Sequence, residues 1–176
     1  MRLFPIVAAT MAIAVPAFGQ DRQPVALAPE QAITLSLDEN GATLARENPG
    51  AAEWTPYDLA VARLMVGVVP PKAPVQATPV PGEAVPPMPA VQQNRLRLRF
   101  MSIAGRHSVL ILENGYDRAI VFRARITRAG ETRPTDVCMV RPALFGFEHW
   151  PDPLDRIEIS DIHFVPWRQG DPVPCA

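Results

Sequence analysis

Three histidines, His107, His149 and His163, are the residues best suited to chemistry near neutral pH, where imidazole can move a proton or bind a metal. With Glu148 and Asp161 they supply the nitrogen and oxygen ligands that zinc accepts. Their spacing is wrong for such a site: no HxH, HExxH or other paired-ligand pattern occurs, so no metal and no cofactor is expected. His163 alternates with Ile162 and Phe164 and therefore faces the other side of any strand they share. Ser102, Ser108 and Ser160 lie in or beside expected strands, and there is no GxSxG elbow to expose a nucleophile. Glu148, Asp152 and Asp155 cluster around Trp150, yet paired carboxylates need a cleft between them, which a small β domain rarely encloses. No enzymatic activity is expected.

Binding is better represented. Phe145-Gly146-Phe147-Glu148-His149-Trp150-Pro151 puts three aromatics, a histidine and an acid into an expected loop. Such a loop either plugs the open end of a β domain, the preferred reading, or offers a binding surface at Glu148, His149 and Trp150. Arginines form the second pattern. Arg95, Arg97 and Arg99 alternate with Leu96, Leu98 and Phe100, and Arg123 and Arg125 alternate with Phe122, Ala124 and Ile126. Apolar residues facing a core send both arginine sets outward. If their strands are neighbours, five guanidinium groups share a face suited to carboxylate or phosphate. The plainer reading is a solvated face balanced by Glu113, Asp117 and Glu158.

The elements that must position these residues are mostly strands. Ile33–Leu37 alternates apolar and polar, Asn40-Gly41 follows, and Thr43–Arg46 resumes, which predicts a hairpin. Thr55-Pro56-Tyr57-Asp58 predicts a helix start with Thr55 as cap and Pro56 in the first turn. Leu59, Ala62 and Val66 share one face of this helix, which ends by Val69 and is short enough to need a packing partner. Eight prolines between 66 and 93 rule out helix and central strand there and predict a spacer. Beyond it, Val109–Leu112 is apolar throughout, as in a strand buried on both faces. Asn114-Gly115 and Ala129-Gly130-Glu131 are turns, and Val137–Val140 is a short strand. In the last strand, Asp155–Phe164, the apolar parity slips from Ile157 and Ile159 to Ile162 and Phe164, which predicts a β-bulge near Ser160-Asp161. The fold class expected is mainly β: an immunoglobulin-like antiparallel β-sandwich over 94–176, preceded by a hairpin and short helix over 20–69 and a proline-rich spacer over 70–93.

The first residues read as a secretory signal peptide, 1–19. Arg2 is followed by a short apolar run to Val15, then Ala17 and Gly19 as small residues before a cut at Gln20. The run is too short for a membrane span, which needs roughly 20 apolar residues. Removing residues 1–19 takes one of 17 basic residues and moves the formal net charge from −1 to −2. That balance argues against nucleic-acid binding. Export places Cys138 and Cys175 in an oxidising compartment, where a lone pair of thiols forms a disulfide.

The strings VLILENGYDRAIVFRARI, PTDVCMV, FEHWP and DRIEISDIHF resemble secreted bacterial proteins to which no activity is assigned. The resemblance spans roughly 94–176 and gives no residue a role. The expected product is therefore a non-enzymatic periplasmic or secreted protein. Its β-sandwich would contact another envelope component, either a protein or an anionic polymer. The alternative is a small-ligand or metal-binding, possibly hydrolytic, domain using Glu148, His149 and His163. Convergence of those three side chains would favour the alternative, and scattering would favour the interaction module.

Overall fold

The computed structural model describes residues 23–66 and 85–175. The expected leader 1–19 and its expected cut at Gln20 lie outside them, as does most of the proline-rich segment; 85–93 contains neither helix nor strand. The elements in chain order are β1 (Val25–Leu27), β2 (Gln31–Leu37), β3 (Thr43–Arg46), β4 (Gly50–Ala51), α1 (Pro56–Val66), β5 (Leu96–Ile103), β6 (His107–Asn114), β7 (Ala119–Arg128), β8 (Glu131–Thr135), β9 (Phe145–Trp150) and β10 (Arg156–Val165). They form two antiparallel sheets, ordered β1-β10-β7-β8 and β3-β2-β5-β6-β9, with β4 also on β2. The first is called sheet A below and the second sheet B.

Alternation along the strands builds the main core between the sheets. Leu35, Leu96, Leu98, Phe100, Leu110 and Leu112 of sheet B meet Leu27, Ile120, Phe122, Ile126 and Ile157 of sheet A, in the manner of a β-sandwich. Each such side chain stabilises the fold by about 1.5–3 kcal/mol through burial. The sandwich is not confined to 94–176. β2 pairs with β5 and β1 with β10, so the N-terminal segment supplies strands to both sheets.

Three local features match their sequence signals. The β2–β3 hairpin turns through Asp38–Ala42, with Gly41 at φ +90° and the Gly41 N–H donating to Asp38 O. The Thr55 Oγ1 accepts from the Asp58 N–H at 3.1 Å and the Asp58 carboxylate accepts from the Thr55 N–H at 2.8 Å, a reciprocal cap. The β10–β7 register shifts between Ser160 and His163, with Asp161 at φ +52°, so the predicted bulge returns Ile162 and Phe164 to the core.

Two elements differ from expectation. Val137–Val140 is not a ladder strand but two isolated bridges, Ile120 with Val140 and Cys138 with Cys175. The 145–150 segment is not a loop but strand β9, paired with β6 along its whole length. Gly146 permits this, because a Cβ there would stand 2.9 Å from the Val140 Cγ2.

Helix α1 lies against the outer face of sheet B. A second core forms there from Ala32, Ala52, Ala62, Met101, Ile103, Val109 and Ile111, with Trp54, Phe145 and Phe147 packed against it. Ala62 is the helix's fully buried apolar residue, with Asp58 one turn earlier equally buried. Leu59 is half-buried, Leu64 is 75% exposed, and the Val66 side chain lies outside the described residues.

Candidate functional site

The helix overturns the expected orientation of Arg99. Its alternation with Leu98 and Phe100 is as predicted, but the face opposite the main core is covered, so Arg99 is 1% exposed. Nη1 and Nη2 bind the two Asp58 oxygens at 2.5 and 3.0 Å, Nε binds Glu113 at 2.7 Å, and Nη1 also donates to Glu53 O at 2.8 Å. Burial alone would lower the Arg99 pKa. The hydrogen bonds and charges of Asp58 and then Glu113 outweigh it and hold the group above its ordinary value. Arg99 is a charged clamp between α1 and β5, not a surface group. Arg97, 42% exposed, lies 3.7 Å from Glu113, and Arg95 is half-buried beside Asn94.

Arg123 and Arg125 do face solvent, from β7. β7 lies in sheet A and β5 in sheet B, so the five arginines do not share a surface. Arg123 is 3.7 Å from Asp161, Arg156 is 3.2 Å from Glu158, and Arg125 stands opposite Glu158 across the ladder. This face is balanced in charge rather than strongly cationic.

Glu148, His149 and His163 scatter. Glu148 points inward from β9, where its Oε1 accepts the Cys138 N–H at 2.6 Å. Burial raises its pKa, and the Cys138 hydrogen bond partly opposes that. His149 points to the opposite face of β9, and His163 is exposed on β10 in the other sheet. Trp150 is buried in the main core, its Nε1 donating to Thr135 Oγ1 at 2.8 Å. Among the described residues no group of three or more His, Cys, Asp or Glu could hold a metal ion, and no helix is long and apolar enough to cross a membrane.

Among the described residues, the edge of sheet B at β9 has no strand paired to its outer side. Antiparallel pairs alternate between hydrogen-bonded and non-hydrogen-bonded positions. The Asn114 N–H donates to Leu144 O, one step before Phe145 opposite Glu113. Gly146, Glu148 and Trp150 therefore bond to β6, and the N–H and C=O groups of Phe145, Phe147 and His149 point off the sheet. Their side chains form a half-buried row on the outer face. Tyr57 of α1 joins it, with ring centroids 5.5 Å from Phe145 and 6.1 Å from Phe147. At the other end of the row, the His149 Nε2 lies 3.1 Å from the His107 Nδ1. Burial and then the charge of His107 lower the His149 pKa.

The other sheet edges are blunted in ways that β9 is not. β1 has three residues and β3 four, and β8 carries Glu131, Arg133 and Pro134. β9 has six residues, three of them aromatic, no proline, and its one acid turned inward. Sequence reasoning marked this segment for its aromatics but not for its edge position. A strand signal was present in the alternation of Phe145, Phe147 and His149 with Gly146, Glu148 and Trp150. No protein-family model, curated protein or solved structure matches the chain.

Proposed function

We propose that this chain is a non-enzymatic exported protein that holds an extended segment of another envelope or extracellular protein along β9. The supporting observation is the open, aromatic and uncharged edge of sheet B, whose outward N–H and C=O groups of Phe145, Phe147 and His149 would continue the ladder. A strand added there places alternate side chains beside Phe145, Phe147 and Tyr57. Backbone bonds would supply affinity and these aromatics selectivity, as in other strand-addition complexes. The Cys138–Cys175 disulfide and the absence of a membrane-spanning helix among the described residues are compatible with a periplasmic or secreted location. The two-layer antiparallel architecture supports reading the sandwich as immunoglobulin-like. Scattering of Glu148, His149 and His163 favours this function over a hydrolytic or metal-dependent one built on those three residues.

The test uses peptides selected from a random library against the mature protein. Binders should be proline-poor in the paired stretch and carry apolar residues at alternate positions. Phe147→Ala should weaken them through lost side-chain contact. Phe147→Pro removes an N–H that points away from β6, a position where an edge strand tolerates proline. It should weaken binding by a further tenfold or more, about 1.4 kcal/mol, at an unfolding midpoint close to that of Phe147→Ala, which loses the same ring contacts. Equal binding by the Ala and Pro variants would refute pairing through the β9 backbone.

A further inference from the structure

The His107–His149 contact lies outside the buried clamp, on the outer face of sheet B. The two nitrogens are 3.1 Å apart and the ring centroids 5.2 Å, with 27° between the planes. The nitrogens thus lie between the ring centres, and the imidazoles meet edge to edge rather than face to face. In that geometry one ring donates N–H and the other offers its lone pair. The rings come from adjacent strands, β6 and β9, whose ladder fixes their spacing from Ser108 opposite Trp150 to Glu113 opposite Phe145. Both are half-buried, which leaves one side of the pair open to water.

We infer that His107 and His149 form a two-nitrogen chelate for a divalent transition-metal ion of the Cu²⁺, Ni²⁺ or Zn²⁺ class. Moving the shared hydrogen to the far nitrogen of its own ring turns both lone pairs inward. At metal–nitrogen distances of about 2.0–2.1 Å, tetrahedral ligands stand roughly 3.4 Å apart, so the rings need open by only a few tenths of an ångström. Neutral imidazole suits these ions and not Mg²⁺ or Ca²⁺, and Cu²⁺ should bind most tightly. Among the described residues no third His, Cys, Asp or Glu joins the pair, so water completes the coordination. Both ligands stand on paired strands beside the second core, where the buried Val109 is paired with His149.

The experiment is calorimetric titration of the mature protein, free of any histidine tag, with CuCl₂, ZnCl₂ and MgCl₂ at neutral pH. One saturable equivalent of Cu²⁺ is expected, weaker uptake of Zn²⁺, and none of Mg²⁺. The second imidazole binds intramolecularly, so His107→Gln and His149→Gln should each weaken Cu²⁺ by about a hundredfold. His163→Gln, exposed on the other sheet, should change nothing. Electron paramagnetic resonance of the Cu²⁺ form should show two coupled nitrogens in the wild type and fewer in either variant. Should a variant unfold, protection of His107 and His149 of the wild type from diethyl pyrocarbonate by Cu²⁺ gives the same reading. No saturable Cu²⁺ uptake, or uptake unchanged in both variants, overturns the inference, as does the absence of protection.

Discussion

Replacing Arg99 with Met should destabilise the protein by about 3–5 kcal/mol, the usual cost of removing one partner of a buried ion pair. The size follows from what is left behind. Asp58 is fully buried, so its carboxylate would lose both charge-assisted bonds with no water to replace them. Glu53 O and Glu113 would lose a donor each. Asp58→Asn keeps an acceptor for the Thr55 N–H while removing the charge. Combined with Arg99→Met it should recover at least 1 kcal/mol relative to the sum of the single changes, because the two groups act as one unit. Guanidinium unfolding of the oxidised protein measures both values. A loss under 1 kcal/mol for Arg99→Met would mean that the clamp between α1 and sheet B is not formed.

Removing the Cys138–Cys175 disulfide should cost about 3–4 kcal/mol in the chain-entropy model for a closed loop of this length. The half-cystines are 37 residues apart in sequence, and their Cα atoms 3.9 Å apart. The bond also anchors a segment that has little ladder of its own. Pro174 O accepts the Met139 N–H, Val140 pairs with Ile120, and Cys138 N–H donates to Glu148. Replacing both cysteines with Ala should therefore lower the unfolding midpoint and also expose 138–140 and 173–175 to proteolysis before the sheets open. A midpoint unchanged by the double replacement would contradict this.

Much of the fold was legible because it follows from period. Alternation located β2, β5, β7 and β10, Asn40-Gly41 located the hairpin, and the slip from Ile159 to Ile162 located the bulge. The Arg99 clamp does not follow from alternation alone, although both of its signals are in the sequence. Val109–Leu112 required a cover on its second face, and α1 required something to pack on. Joining them puts the helix over β6 and the neighbouring β5, which buries Arg99 where alternation alone sends it to water. Met101 and Ile103, on the same side of β5 as Arg99, carried that signal too. Sheet membership was not legible. Whether β5 and β7 are neighbours depends on long-range pairing, and the same uncertainty hid the contact between His107 and His149, 42 residues apart. The strand at 145–150 reads as a loop in sequence because Gly146 and Pro151 resemble turn chemistry. Gly146 is instead fixed by the approach of Val140.

Amide hydrogen exchange of a selected peptide complex tests strand addition at β9 most directly. In the free protein the Phe145, Phe147 and His149 amides point off the sheet and should exchange fast, while Gly146 and Glu148, bonded to β6, should exchange slowly. With peptide bound, the three outward amides should slow by tenfold or more and the inward ones change little. Protection that appears on sheet A, around Arg123 and Arg125, while Phe145, Phe147 and His149 stay fast, would place the partner elsewhere and contradict the account.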